Sequence, residues 1–195
     1  RALAMKAIVI EEHGYESALK GMSYSHFDTS LDVNEWWATQ YPNAVRRAEK
    51  LAGKGGGHDK FMESIVVWLD ISGSRAFWQE FDTYRIGVTK QSTSTMHKLS
   101  SRRPTIEDFE EDTPIEAIEM FQAVWDKSPG LVQLKHALPE GYLQQRIVCI
   151  NYKSLQNIYR QRRSHRYRFW KDLLSQTLVQ LNHPHLITGE HHASN

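Results

Sequence analysis

The chain has a single cysteine, Cys149, no long apolar run and almost no net charge, and each scarcity narrows what it can be. One cysteine cannot close an intramolecular disulfide, which fits a reducing compartment, so a cytoplasmic location is expected. The longest apolar stretch, Ile65-Val66-Val67-Trp68-Leu69, is closed by Asp70. It is strand-sized and well short of the roughly 20 residues of a membrane-spanning helix. Lys and Arg number 24 against 23 Asp and Glu, a formal net charge of +1, so the whole-molecule field does not call for a nucleic-acid partner. No internal repeat, low-complexity tract or secretory apolar region stands out, and residues 1–4, ahead of Met5, read as a cloning remnant.

What is present suits a folded domain. With 195 residues, 40% of them hydrophobic, the chain can bury a core without a disulfide or metal staple. One catalytic domain over residues 5–187 and a disordered tail over 188–195 are expected. Residues 6–10, 61–71 and 142–151 read as strands. Helical spacing covers 15–27, 34–40, 44–52, 114–127, 131–137, 154–161 and 165–181, with Pro42 separating the second from the third and His183-Pro184 ending the last. Ser74 is placed to cap a further helix reaching about Arg85; 90–99 reads as an extended loop or edge strand and 102–112 as a charged surface flap. Strands mixed with longer helices predict an α+β fold, an antiparallel sheet packed with helices.

Two segments carry most of the chemistry-bearing residues. From Ser74 to Tyr84 a helix would bring Glu80, Thr83 and Tyr84 together, then pass the chain to the hydroxyl-rich Ser92-Thr93-Ser94-Thr95. Hydroxyls and loop N–H groups suit phosphate oxygens, though they are also ordinary loop residues. In the second segment Asn151, Ser154, Asn157 and Arg162 fall along one rim of a helix, and arginine offers a planar fork for phosphate, carboxylate or a pyrimidine edge. The run from Gly53 to Gly57 is no Walker loop, because Lys54 is followed by glycine where Ser or Thr is needed. His183, His185, His191 and His192 lack the partnered spacing of a zinc site, so no metal is expected. Cys149, within Ile147-Val148-Cys149-Ile150, reads as a buried small hydrophobe and not as a nucleophile.

Taken together these segments resemble the flavin-dependent thymidylate synthases. That family's signature is Arg-His-Arg, seven residues, then Ser; here Thr83, Tyr84 and Arg85 stand in the triplet and Ser92 follows after a spacer one residue shorter. Upstream, Gly57-His58 and Glu63 match a Gly-His pair and a glutamate five residues later, and His58 precedes Thr83 by the family's 25 residues. Downstream, Asn151 follows Leu138-Pro139 at the family's distance, Asn157 matches a second asparagine, Lys153 replaces an arginine and Arg162 falls on the nucleotide-binding arginine. The likeness covers about residues 57–174, with no motif intact and nothing specific over 102–127.

The resemblance implies transfer of a one-carbon unit from methylenetetrahydrofolate to C5 of dUMP, with FAD reduced by NADPH, in a homotetramer whose sites are shared between subunits. It implies His58, Glu63, Thr83, Tyr84, Arg85, Asn151, Lys153 and Asn157 for the cofactor. Glu80, Ser92, Thr93, Ser94, Lys135 and Arg162 are implied for the nucleotide, with Arg162 and Ser92 nearest the chemistry. Ser94 stands where the family has a phosphate-binding arginine and Glu80 where it has glutamine. Those departures leave open hydroxymethylation of dUMP or dCMP. A different reading, a non-enzymatic nucleic-acid binder, rests on Arg160, Arg162, Arg163, Arg166, Arg168 and Lys171 beside Tyr159, Tyr167 and Trp170.

Overall fold

The computed structural model describes residues 5–189. Four strands, β1 (Lys6–His13), β2 (Val66–Ser74), β3 (Val88–Ser92) and β4 (Leu143–Asn151), form one antiparallel sheet in the order β1-β2-β4-β3. Around it lie α1 (Tyr15–Ser23), α2 (Val33–Leu51), α3 (Arg75–Phe81), α4 (Thr95–Ser101), α5 (Ile115–Asp126), α6 (Leu131–Ala137), α7 (Tyr152–Arg162), α8 (Arg168–Leu178) and α9 (His185–Thr188). This is the α+β architecture read from the sequence. Among the described residues no helix is long and apolar enough to cross a membrane.

Pleating sends alternate residues to opposite faces, and the sheet uses its two faces differently. Val67, Leu69 and Ile71 of β2, with Val148 and Ile150 of β4, are buried in one core with Trp36, Phe77, Trp78, Phe81, Phe169 and Trp170. Fully burying an apolar side chain of this size is worth about 1.5–3 kcal/mol. On the other face Ile8 and Trp68 are exposed, and Ile147 and Cys149 lie beside them through the pairs Asp70–Ile147 and Trp68–Cys149. A second apolar cluster, Leu99, Phe109, Ile118, Phe121, Leu134, Leu138 and Tyr142, is built by α4, α5, α6 and the segments joining them to the sheet.

At the free side of β1 two glutamines of α8 and the turn after it take the place of a neighbouring strand. Gln176 accepts from the Ala7 N–H at 2.9 Å and donates to the Met5 carbonyl at 3.3 Å, and Gln180 accepts from the Val9 N–H at 3.0 Å and donates to the Ala7 carbonyl at 2.9 Å.

Several boundaries differ from those read off the sequence. The helix expected to stop at Pro42 is continuous, because Trp36 and Trp37 before the proline and Ala44 and Ala48 after it are all buried and hold both halves to the core. The strand expected over 61–71 starts at Val66, since Phe61 and Met62 are adjacent and both buried. A strand would expose one of them, whereas the 3-10 turn Lys60–Ser64 turns both inward. The helix after Ser74 ends at Phe81, so Thr83 and Tyr84 sit in the turn beyond it. Residues 102–112 are a docked segment: Asp108 is buried and takes two hydrogen bonds from Arg102, at 2.5 and 2.7 Å, and Phe109 is fully enclosed. The helix expected over 165–181 begins only at Arg168, because the Tyr167 hydroxyl is tied to Ser74 and Glu110 (2.9 Å each) and bends the chain there. Past His183-Pro184 the chain forms α9, so Thr188 and Gly189 are helix end and cap and not tail. Residues 1–4 and 190–195, including His191 and His192, lie outside the described residues.

Candidate functional site

Strand β4 ends where α7 begins, and Asn151 makes the join. Its side-chain oxygen accepts from the Ser154 N–H at 2.8 Å, capping α7, while the Ser154 hydroxyl donates to the Ile86 carbonyl at 2.6 Å. Gly87 turns the chain into β3 at φ +67°, and a Cβ there would come within 2.4 Å of Asn151 Nδ2 and 2.8 Å of Ser154 Oγ. Only glycine fits so close a turn. The clasp holds residues 83–86 against the first turns of α7.

Between them opens a cleft of about 570 Å³ lined by Glu63, Thr83, Tyr84, Arg85, Lys153 and Asn157, six of the eight residues assigned to a flavin from the sequence. Three cations, Arg85, Lys153 and Arg160, face one carboxylate, Glu63. Arg85 is exposed and has no hydrogen-bond or ion-pair partner among the described residues. Lys153 is ion-paired with the buried Asp59, which also accepts from the Gly55 N–H at 3.2 Å. Burial pushes the Asp59 carboxyl up, but the Lys153 ammonium and the N–H of Gly55 outweigh this and hold it below the usual carboxylate range. Arg160 donates to the Gly53 carbonyl at 3.2 Å, anchoring the other end of the glycine turn.

The two remaining flavin assignments fall elsewhere. Asn151 spends its side-chain oxygen on the α7 cap, and His58 lines a second groove of about 780 Å³ that shares Glu63 with the first. Ser17, Ala18 and Gly21 of α1 form part of that groove's wall.

Arg162 is engaged within its own chain. Its Nε donates to the Tyr84 hydroxyl at 2.8 Å, its Nη1 to Glu80 at 3.1 Å, and its guanidinium stacks 4.7 Å from the Trp170 ring. Trp170, fully buried, donates from its indole to the same Glu80 oxygen at 2.6 Å. Tyr84, assigned to the flavin from the sequence, and Arg162, assigned to the nucleotide, are therefore directly bonded. The hydroxyl loop is held differently: Ser92 closes β3 and is exposed, Thr93 donates from its N–H to the Gln145 carbonyl at 2.9 Å, and Ser94 caps α4. Lys135, exposed on α6, lines a small pocket of about 210 Å³ with Arg75, Thr95 and Arg146.

Sequence reasoning missed Asp59, Arg75, Arg146 and His165, whose Nε2 lies 2.9 Å from Arg162 Nη1, and gave Arg160 only to a nucleic-acid surface. Arg160 was within reach: it follows Lys153 by seven residues and Asn157 by three, one face of a helix. The others depend on contacts between distant segments. The basic stretch after Tyr159 does not form an open strip, because Trp170 is buried, Arg162 is bonded to Glu80 and Arg168 pairs with Glu111 and Asp172.

No protein-family model and no curated protein matches the chain. Solved structures do. Thymidylate synthase X from Helicobacter pylori, crystallised with FAD and dUMP, superposes with a TM-score of 0.71 at 18% identity, covering 95% of this chain and 97% of that one. A second structure of the Helicobacter pylori flavin-dependent thymidylate synthase complexed with FAD and dUMP gives a TM-score of 0.75 at 17% identity, covering 94% and 98%. At this identity the likeness is one of fold, and it extends over nearly the whole of both chains.

Proposed function

We propose that the chain is a flavin-dependent enzyme acting at C5 of a pyrimidine deoxynucleotide monophosphate, with dUMP the first candidate, over one catalytic domain spanning 5–187. The observation that carries this reading is the gathering of Glu63, Thr83, Tyr84, Arg85, Lys153 and Asn157, scattered over more than ninety residues, around one cleft. The fold shared with enzymes crystallised with FAD and dUMP supports it.

The donor set suits FAD. A dinucleotide carries a diphosphate, and Arg85, Lys153 and Arg160 supply positive charge beside the Ser154 and Asn157 side chains. When bound, FAD would supply the hydride, with NADPH as reductant and methylenetetrahydrofolate as one-carbon donor. The chain's own part is to bind and orient. Tyr84 and Glu80 fix the Arg162 guanidinium, which would stabilise negative charge developing on a pyrimidine carbonyl. Among the described residues no histidine or carboxylate is bonded to the Ser92 hydroxyl, and Ser92 is read as a substrate contact.

A homotetramer is part of the proposal. The exposed sheet face carrying Ile8 and Trp68, with Ile147 and Cys149 beside them, is the apolar surface a second copy would cover. Glu80 beside Arg162 and Ser94 at the loop favour keeping a hydroxymethyl product and a dCMP substrate in view. The test is direct. Calorimetry with FAD is expected to give saturable binding and a flavin absorption spectrum, and the loaded protein is then given dUMP or dCMP with methylenetetrahydrofolate and NADPH, products being weighed by mass spectrometry. No FAD binding at high micromolar concentration would sink the reading.

A further inference from the structure

The Arg162 guanidinium spends most of its N–H groups inside the chain. Nε donates to the Tyr84 hydroxyl at 2.8 Å, and Nη1 donates to Glu80 at 3.1 Å and to His165 Nε2 at 2.9 Å. Nη2 has no hydrogen-bond partner among the described residues. An arginine presents two forks, Nε with Nη2 and Nη1 with Nη2. Each fork of Arg162 therefore contains one nitrogen already taken, and a bidentate contact with a ligand requires a protein partner to let go.

The partners are not equally held. Glu80 also accepts from the Trp170 indole at 2.6 Å, and the Tyr84 hydroxyl donates to Gln161 at 2.8 Å. His165, in the turn joining α7 to α8, has a rival donor instead: the Tyr167 N–H points at its Nδ1 from 3.2 Å. The His165 N–H of the backbone donates to the Arg162 carbonyl at 3.0 Å, which keeps the ring between the two donors. A guanidinium and a backbone amide can only donate, and a neutral imidazole has one N–H and one lone pair. His165 can serve Arg162 or Tyr167, never both. Releasing Arg162 costs it little, because the lone pair passes to Tyr167 and one hydrogen bond replaces another.

We infer that His165 is a positioning residue that surrenders Arg162 to the nucleotide, its ring changing tautomer as it turns to the Tyr167 N–H. One proton leaves Nδ1 and one is taken up at Nε2 through water, so the charge of the ring is unchanged. The inference rests on the proposed function, in which Arg162 grips the pyrimidine.

The experiment uses the chain with FAD present, histidine labelled with heavy nitrogen and alkaline pH; nitrogen resonance tells the N–H from the lone-pair nitrogen, and loss of one ring in His165→Gln assigns the signals. The expected result is Nδ1–H without nucleotide and Nε2–H with dUMP. Arg162→Met without nucleotide should already show Nε2–H. Thermal melts confirm folding of the variants, whose dUMP affinities are then compared. Glutamine places its oxygen where Nε2 stands and keeps hold of Arg162, whereas in His165→Asn the oxygen stands at Nδ1 and holds only Tyr167. His165→Gln should bind dUMP about threefold to tenfold more weakly than His165→Asn, the worth of one hydrogen bond. A histidine with a merely structural role would leave the two variants alike. One unchanged tautomer in free, dUMP-bound and Arg162→Met protein, or equal dUMP affinity in the two variants, overturns the inference. If wild type takes up no dUMP while Arg162→Met still shifts the tautomer, the exchange of the lone pair stands and the nucleotide reading falls.

Discussion

Arg162 Nη1 lies 3.1 Å from Glu80 Oε2, so the arginine best placed to grip a pyrimidine is already neutralised by a carboxylate of its own chain. The same guanidinium holds the Tyr84 hydroxyl at 2.8 Å. Arg162→Ala is expected to weaken nucleotide binding by about 2–4 kcal/mol, the range for truncating one partner of a buried charged contact. FAD binding should weaken as well, through Tyr84. Arg162→Lys should recover part of the loss, because an ammonium cannot reproduce the fork. Parallel titrations of dUMP and FAD check this, and equal affinities for wild type and Arg162→Ala would remove Arg162 from the site.

Glu80→Gln tests the other member of the pair. The amide can still accept from the Trp170 indole but no longer cancels the Arg162 charge. Nucleotide affinity is expected to rise by about 0.5–1.5 kcal/mol, the worth of one ordinary hydrogen bond set free for the ligand. A fall in affinity would mean that Glu80 itself contacts the ligand.

Gly87→Ala should cost about 1–3 kcal/mol of stability, since it combines a left-handed backbone at φ +67° with a side chain driven into Asn151 and Ser154. Urea unfolding measures the cost. FAD affinity should drop in the same variant, because the turn that carries Arg85 is displaced. A neutral Gly87→Ala would show that the clasp between the turn and α7 is dispensable.

Pro42 lies exposed inside α2 and denies that helix one backbone hydrogen bond. Pro42→Ala is expected to stabilise the fold by about 1–3 kcal/mol, at most the interior cost of proline. A thermal melt decides it, and a lower midpoint would mean that the proline is needed for the shape of the helix.

Two carboxylates should give opposite pH trends. Burial raises the Glu110 pKa above its ordinary 4.5, despite hydrogen bonds from Tyr167 and Ser74. The stability tied to Glu110 is therefore full below that pH and is lost as pH rises through the folded value. Asp59, held low by Lys153 and Gly55, contributes stability above its ordinary 3.8 that is lost as pH falls through its folded value. Denaturant midpoints across pH 3–8 should show Glu110→Gln flattening the decline on the upper side and Asp59→Asn flattening the loss on the acid side.

Strands β1 and β4, helices α5 and α6 and the cap at Ser74 were legible because periodicity and capping are local signals, whereas the stretch read as extended over 90–99 divides into the end of β3 and the helix α4. So was the helix that carries Asn157 and Arg162, α7. The continuity of α2 through Pro42 was not, since burial of Trp36 on one side and Ala48 on the other overrides a local breaker. Residues 102–112 look like a solvated flap because their charges are visible in the sequence and their partners are not; Asp108 meets Arg102, and Glu110 meets Tyr167 fifty-seven positions away. The pocket around Arg75 and Arg146 was hidden for the same reason: each arginine alone is an ordinary surface residue, and only the fold puts them beside Lys135.

The amides of Gln176 and Gln180 leave β1 with little backbone to offer a further strand. An edge of unmet N–H and carbonyl groups is where sheets recruit one another into open-ended stacks. At β1 that route is shut from within the chain. Growth without limit needs two open edges, so strand pairing at β3, the other edge of the sheet, would join two copies and end there.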